Sequence, residues 1–190
     1  MILFLNACVR EASRTKTLAL AVLEQLDGEV TEVRLSELPL CPLSEERLAE
    51  RSALIEKGEF SAPLFDPARQ FAKADEIVIA APFWDLSFPS LLKLYVENIY
   101  VTGIVSEYDE NGLPHGLCRA RRLIYVTTAG GPYEPAYSYG YLERLAKGFF
   151  GIPDTRLVAA EGLDLIGHDP EKILSEAIRT LRENGLPQPT

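Results

Sequence analysis

Three short stretches of this chain carry residue types that chemistry could use. The first, residues 6–16, holds a thiol at Cys8, hydroxyls at Ser13 and Thr15, and positive charge at Arg10, Arg14 and Lys16. It leads into a helical pattern. The first N–H groups of a helix lack partners and its dipole favours negative charge, so such a stretch can hold an anion. It lacks G-x-G-x-x-G and G-K-[ST], so one phosphate suits it better than a pyrophosphate or a triphosphate. The second stretch, residues 81–90, reads APFWDLSFPS and holds the chain's single tryptophan, Trp84. The aromatics Phe83 and Trp84 and the prolines Pro82 and Pro89 stand where polar turn residues are usual. Exposed aromatics there suit a flat apolar ligand or a protein interface, and prolines lower the entropy lost on binding. The third stretch runs through Thr128, Ala129, Gly130 and Gly131 to Tyr133. Paired glycines let backbone N–H groups approach the polar edge of a ring.

Taken singly, each stretch has a plainer reading. Ser13 could be only a helix cap, the aromatic loop could pack beneath its own helix, and Gly-Gly could be a turn. Their meaning depends on where the elements put them.

The elements alternate. Apolar runs at 2–5, 76–82 and 123–128 read as buried strands. The alternation at 30–35 reads as a half-buried strand, and residues 156–160 form a last one. Helical spacing covers 13–26, 66–73, 88–99 and 142–149. A final helix is capped by Asp169, with Pro170 in its first turn, and ends at Asn184-Gly185. Residues 39–63, punctuated by Pro39, Pro42 and Pro63, form a surface excursion with an exposed helix over 44–57. Asn111-Gly112 predicts a hairpin turn within 101–118. Strands alternating with helices predict a single α/β domain, a three-layer sandwich around a five-stranded parallel sheet of flavodoxin-like order 2-1-3-4-5. In that order a ligand sits beyond the carboxyl ends of the strands, at the switch between the first and third. The three stretches follow the first, third and fourth strands.

Composition narrows the partners. The 190 residues suit one domain, and a formal net charge of −9 with pI about 4.8 argues against nucleic acid or anionic lipid as partners. Three cysteines, with no C-x-x-C, argue against a disulfide framework or a zinc site. No metal is expected. The initial MILFLNA is too short for a signal peptide and no apolar run approaches the ~20 residues of a membrane span, so a cytoplasmic protein is expected. No catalytic triad is evident, and His115 and His168 fall in expected loops. An anion site, an aromatic wall and a glycine platform at one sheet edge match flavin mononucleotide, with one phosphate and one flat ring system.

From about residue 2 to residue 167 the chain resembles the FMN-dependent NAD(P)H:quinone reductases and azoreductases of the flavodoxin-like superfamily. The most specific pieces are VTGIVSEYDENGLPHGL (101–117) and RRLIYVTTAGGPY (121–133). APFWDLSFPSLLKLYVENI (81–99) resembles that family's Ala-Pro-aromatic-Asn loop and its helix, and GFFGIPDTRLVAAEGL (148–163) its Gly-turn and last strand. The resemblance implies FMN phosphate binding by Ser13, Arg14, Thr15 and Lys16, near Cys8. It implies a ring cradled by Pro82, Phe83, Trp84, Asp85 and Leu86 and closed over by Thr128, Ala129, Gly130 and Gly131. It further implies a homodimer in which NADH or NADPH reduces the flavin and then gives way to a small planar aromatic acceptor, a quinone, azo or nitro compound.

Three departures stand out. Asp85 replaces the usual Asn, Cys8 replaces a common Ser, and residues 39–63 have no clear counterpart. The cofactor carries the hydride in such chemistry, so the protein need not supply a nucleophile. Tyr133 is the one candidate for a hydrogen bond to an acceptor oxygen. Two other classes stay open: an electron carrier of flavodoxin type, and a binding module without redox turnover. Bleaching of the flavin by NADH separates the first from an enzyme, and absence of yellow colour marks the second.

Overall fold

The computed structural model describes residues 1–189. Its organisation follows from the strands' side-chain alternation. In β1 (Ile2–Asn6), Ile2 and Phe4 join one core cluster while Leu3 and Leu5 join the other. The same division runs through β3 (Glu76–Ala80) and β6 (Arg122–Thr128): Val78, Ala80, Ile124 and Val126 face one side, Ile77, Ile79, Leu123 and Tyr125 the other. Strands with two apolar faces need covering twice, and that is why they sit in the middle of the sheet.

Five parallel strands lie in the order β2-β1-β3-β6-β7, with β2 at Val30–Arg34 and β7 at Asp154–Ala160. With the two short hairpin strands left out of the numbering, this is the expected order 2-1-3-4-5. Helices α1 (Arg14–Leu23) and α6 (Pro170–Asn184) cover one face through Leu18, Val22, Leu174 and Leu181. Helices α3 (Asp66–Lys73), α4 (Ser90–Ile99) and α5 (Tyr139–Leu145) cover the other, bringing Phe71, Tyr95, Ile99 and Leu142. No helix among the described residues is long and apolar enough to cross a membrane.

The excursion contains α2 (Glu45–Glu56), which has no buried residue. It leans on the far part of α4, where Arg51 donates to the Glu97 carbonyl at 3.0 Å and Asn98 donates to the Cys41 carbonyl at 3.2 Å.

Several boundaries differ from the sequence expectation, each for a local reason. Helix α1 stops at Leu23, not Leu26, because Gln25 and Leu26 donate to the carbonyls three residues back and tighten the end. After α5 the chain widens into a π-turn, Ala146–Phe150, closed by Gly151 at φ 76°. The hairpin of β4 (Ser106–Tyr108) and β5 (Pro114–Gly116) has a longer loop than a two-residue Asn-Gly turn. The Asp109 carboxylate accepts from the Asn111 and Leu113 N–H groups, both at 2.8 Å, and organises it.

This hairpin docks on the π-turn by backbone contact. A Cβ on Gly116 would lie 2.0 Å from the Gly151 nitrogen and 2.1 Å from the Phe150 carbonyl carbon. Backbone cannot swing aside as a side chain can. Gly116→Ala is therefore expected to destabilise the protein by about 1–3 kcal/mol or more, read from the midpoint of urea unfolding. An unchanged midpoint would mean that the hairpin is not held there.

Candidate active site

The sheet's hydrogen bonding continues past the strand ends and sets the site. Ala7 N–H donates to Ala80 O at 2.9 Å, Phe83 N–H to Thr128 O at 3.0 Å, and Ala129 N–H to Ala160 O at 2.9 Å. Four loops therefore leave side by side, those after β1, β3, β6 and β7. They enclose a crevice of about 270 Å³. Segments around positions 13, 84 and 130, far apart in sequence, all line it. A wider apolar groove of about 550 Å³ lies between α4 and α5, lined by Ser87, Phe88 and Tyr141 among others, and shares no lining residue with the crevice.

The first loop contributes Cys8, Val9, Arg10, Ala12, Ser13, Arg14 and Thr15. It starts from Asn6, whose side-chain Oδ1 accepts from Cys8 N–H at 3.0 Å and whose Nδ2 donates to Glu32 at 2.8 Å. Ser13 caps α1 by accepting from Lys16 N–H at 3.3 Å. The N–H groups of Ser13, Arg14 and Thr15 donate to no acceptor within the described chain. Burial pushes the Cys8 thiol above its ordinary pKa, against opposing contacts from Ser13 and Lys16, so it stays neutral near pH 7. A neutral thiol places no negative charge in an anion site. Lys16 does not line the crevice; its ammonium pairs with Glu32 at 3.3 Å. Burial opposes the charge on Glu32, but the Asn6 and Lys16 donors outweigh it and hold its carboxyl below the usual range.

The second loop contributes Pro82, Phe83 and Trp84. Trp84 and Ser87 exchange N–H to carbonyl bonds of 3.0 and 2.8 Å, which closes a two-residue turn. The central residues, Asp85 and Leu86, have φ of 50° and 64°. Asn-Gly is the usual occupant of such a turn. Asp tolerates the left-handed region, whereas Leu bears a cost of about 1–2 kcal/mol. Neither Asp85 nor Leu86 lines the crevice, and Leu86 is 60% exposed. Their turn presents Trp84, while Ser87 Oγ ties the loop to the Tyr137 carbonyl at 2.9 Å.

The third loop contributes Thr128, Ala129 and Gly130; Gly131 stands just outside the lining. The Thr128 hydroxyl meets the Thr15 hydroxyl at 2.6 Å, joining the first and third loops. The N–H groups of Gly130 and Gly131 donate to no acceptor within the described chain. Tyr133 does not line the crevice. Its ring meets Phe83 edge-on, with centroids 4.9 Å apart, and its hydroxyl is 2.9 Å from Ser138 Oγ. Burial raises its pKa, so it is a neutral phenol that props the aromatic wall.

The fourth loop is absent from the sequence reading of the site. Leu163 and Asp164 line the crevice, and the loop braces the glycine platform. Gly162 N–H donates to Gly131 O at 3.0 Å, Asp164 N–H to Gly130 O at 2.8 Å, and the Glu161 carboxylate accepts from Tyr133 N–H at 2.7 Å. The rule that placed the other three loops, function beyond the carboxyl end of a strand, applies equally to β7. His115 and His168 lie outside the crevice; His168 Nδ1 is 3.0 Å from Gly162 O.

The arrangement can hold one anion and one flat group. Two guanidinium-bearing residues and free N–H groups stand at the start of α1, with an aromatic wall and a glycine edge beyond. The profile of a family described as having a flavodoxin-like fold matches residues 1–184. An "FMN-dependent NADH:quinone oxidoreductase 2" of Clostridium acetobutylicum is 44% identical over 121 residues, 61% of this chain and 60% of that protein. An "FMN-dependent NADH:quinone oxidoreductase" of Clostridium beijerinckii is 44% identical over 123 residues, 64% of this chain and 62% of that protein. The matched stretch thus spans a little under two thirds of these relatives. Among solved structures, an azoreductase of Bacillus anthracis superposes with a TM-score of 0.80 at 23% identity, covering 96% of both chains. An FMN-dependent NADH-azoreductase of the same organism, in complex with FMN, superposes with a TM-score of 0.79 at 23% identity, covering 96% of this chain and 95% of that one. At that identity these two show the fold.

The left-handed turn makes a prediction about stability alone. Leu86→Gly is expected to hold or raise the melting temperature, since glycine adopts this conformation freely. Leu86→Val is expected to cost about 1–2 kcal/mol, because a β-branched residue is worst there. Equal loss in both variants would mean that the Leu86 side chain, not its backbone, matters.

Proposed function

Because the chain belongs to the family with the flavodoxin-like fold, we propose that it is an FMN-dependent oxidoreductase of the quinone reductase and azoreductase type. It takes electrons from NADH or NADPH by a ping-pong scheme and passes them to a small planar acceptor, a quinone, azo or nitro compound. The observation that carries this reading is the meeting of three features in one crevice at the β1–β3 switch. These are unpartnered N–H groups at the start of a helix, an aromatic wall and an open glycine edge. The names of the relatives favour NADH as the donor and a quinone as the acceptor.

The residues divide the work by chemistry. Ser13, Arg14 and Thr15 offer backbone N–H groups to a phosphate, and Arg10 and Arg14 offer charge. Lys16 contributes at a distance, through its pairing with Glu32. Pro82, Phe83 and Trp84 form an apolar wall that excludes water from one side of a ring. The Asp85-Leu86 turn aims Trp84, and its carboxylate stays outside the crevice lining. Thr128 and Ala129 shape the floor, while the N–H groups of Gly130 and Gly131 are free to bond a ring's polar edge. Cys8 fills the floor as a neutral thiol. FMN, when bound, supplies the hydride and electron chemistry, so the chain needs no nucleophile of its own.

A homodimer completes the reading. Trp84 is 41% exposed, Leu86 60% and Tyr137 65%, and the bond from Ser87 to the Tyr137 carbonyl makes them neighbours. Apolar residues gathered at a site's edge suit burial by a second copy. The cytoplasm suits three free cysteines, of which Cys118 has its thiol pushed up to about 12 by burial.

The test is the absorption spectrum of purified protein supplied with FMN, followed by NADH and NADPH without oxygen. A bound flavin spectrum that bleaches on addition of either, and recovers with a quinone, is the expected result. Bound flavin that does not bleach would instead mean a carrier. Ser13→Asp sets a like charge beside the phosphate and is expected to abolish FMN retention on gel filtration. Full flavin occupancy in that variant would remove the first loop from the phosphate site.

A further inference from the structure

Asp164 supplies the one negatively charged side chain that lines the crevice among the described residues. Its position is fixed from two directions. Its N–H is held by Gly130 O at 2.8 Å, and its carboxylate Oδ1 accepts from Arg14 Nη1, also at 2.8 Å. The other carboxylate oxygen lies against the glycine platform, where a Cβ on Gly130 would come within 2.5 Å of it. Gly130 therefore does two things: it offers a free N–H and it makes room for this carboxylate. The pair it forms with Arg14 is not buried. The side chains are 39% and 68% exposed. Ion pairs of that exposure are weakly held and exchange easily.

Among the described residues Arg10 and Arg14 are the two cationic residues lining the crevice, and the Arg14 guanidinium that a phosphate would use is already engaged by a carboxylate. We infer that Asp164 is an internal rival of the ligand's phosphate for Arg14, and that it sets how strongly the site prefers a phosphorylated flavin over one without phosphate. The inference presupposes the flavin reading given above. Phosphate binding must draw Arg14 away from Asp164 or accept a like charge nearby, and either lowers affinity. A flavin lacking the phosphate makes no such demand. No bond is made or broken; the effect is one of competing ion pairs.

The test compares FMN with riboflavin on flavin-free protein, by quenching of flavin fluorescence. Asp164→Asn and Asp164→Ala are expected to tighten FMN by about two- to five-fold, the range of one weak ion pair. Riboflavin affinity should change by less than about two-fold. In an Arg14→Gln background the gain from Asp164→Asn should shrink, since the contested guanidinium is gone. A purely structural role for Asp164 would move both flavins together. Unchanged or weaker FMN binding in both variants, or equal tightening of both flavins, overturns the role of Asp164 while leaving the flavin site intact. Wild-type protein that binds neither flavin overturns the flavin reading itself, and this inference with it.

Discussion

Everything at this site depends on backbone N–H groups that the fold leaves without partners. A helix that starts immediately after a buried strand cannot satisfy its own first donors. Here Ser13 takes care of one, the Lys16 N–H, and those of Ser13, Arg14 and Thr15 remain. The third loop repeats the situation. Gly130 and Gly131 give their carbonyls to the fourth loop and keep their N–H groups free. The sheet places both sets at the same edge because β1 and β6 flank β3 and all three run parallel. The unpartnered donors at this edge are thus backbone groups, and side chains adjust their surroundings.

Those adjustments are consistent with one another. Positive charge is kept at Arg10 and Arg14, whereas Lys16 is turned toward Glu32. The thiol of Cys8 is kept neutral by burial. Phe83 is held edge-on by Tyr133, and Trp84 is presented by a turn with Leu86 in a conformation that leucine disfavours. Left-handed non-glycine residues gather where surrounding structure over-determines the backbone, and functional loops are a common setting. The far side of the molecule is plainer. At the opposite end of the sheet the buried Glu76 carboxylate pairs with Arg121 and Arg122, and Arg122 also meets Asp154 at 2.9 Å.

The strand order was legible in the sequence because each central strand is an uninterrupted apolar run and each helix keeps a regular spacing. Residues that failed the pattern did so for reasons beyond local propensity. The end of α1 depends on three-residue bonds, and the hairpin loop on one carboxylate, Asp109. Of the residues that type singled out for the site, Ser13, Arg14, Trp84 and Gly130 line the crevice together. Lys16, Asp85, Leu86 and Gly131 stand outside that lining, since which way a residue faces is set by partners such as Glu32 and by backbone handedness. Asp164 escaped notice because a single acidic residue in an acidic chain carries no pattern; only its pairing with Arg14, 150 residues away, gives it meaning.

The most direct measurement of the central claim is amide hydrogen exchange with and without FMN. The account predicts slowed exchange at residues 13–15 and 130–131, with the hairpin and α6 unchanged. Protection confined to the groove between α4 and α5, or flavin bound with no change at those five amides, would contradict it.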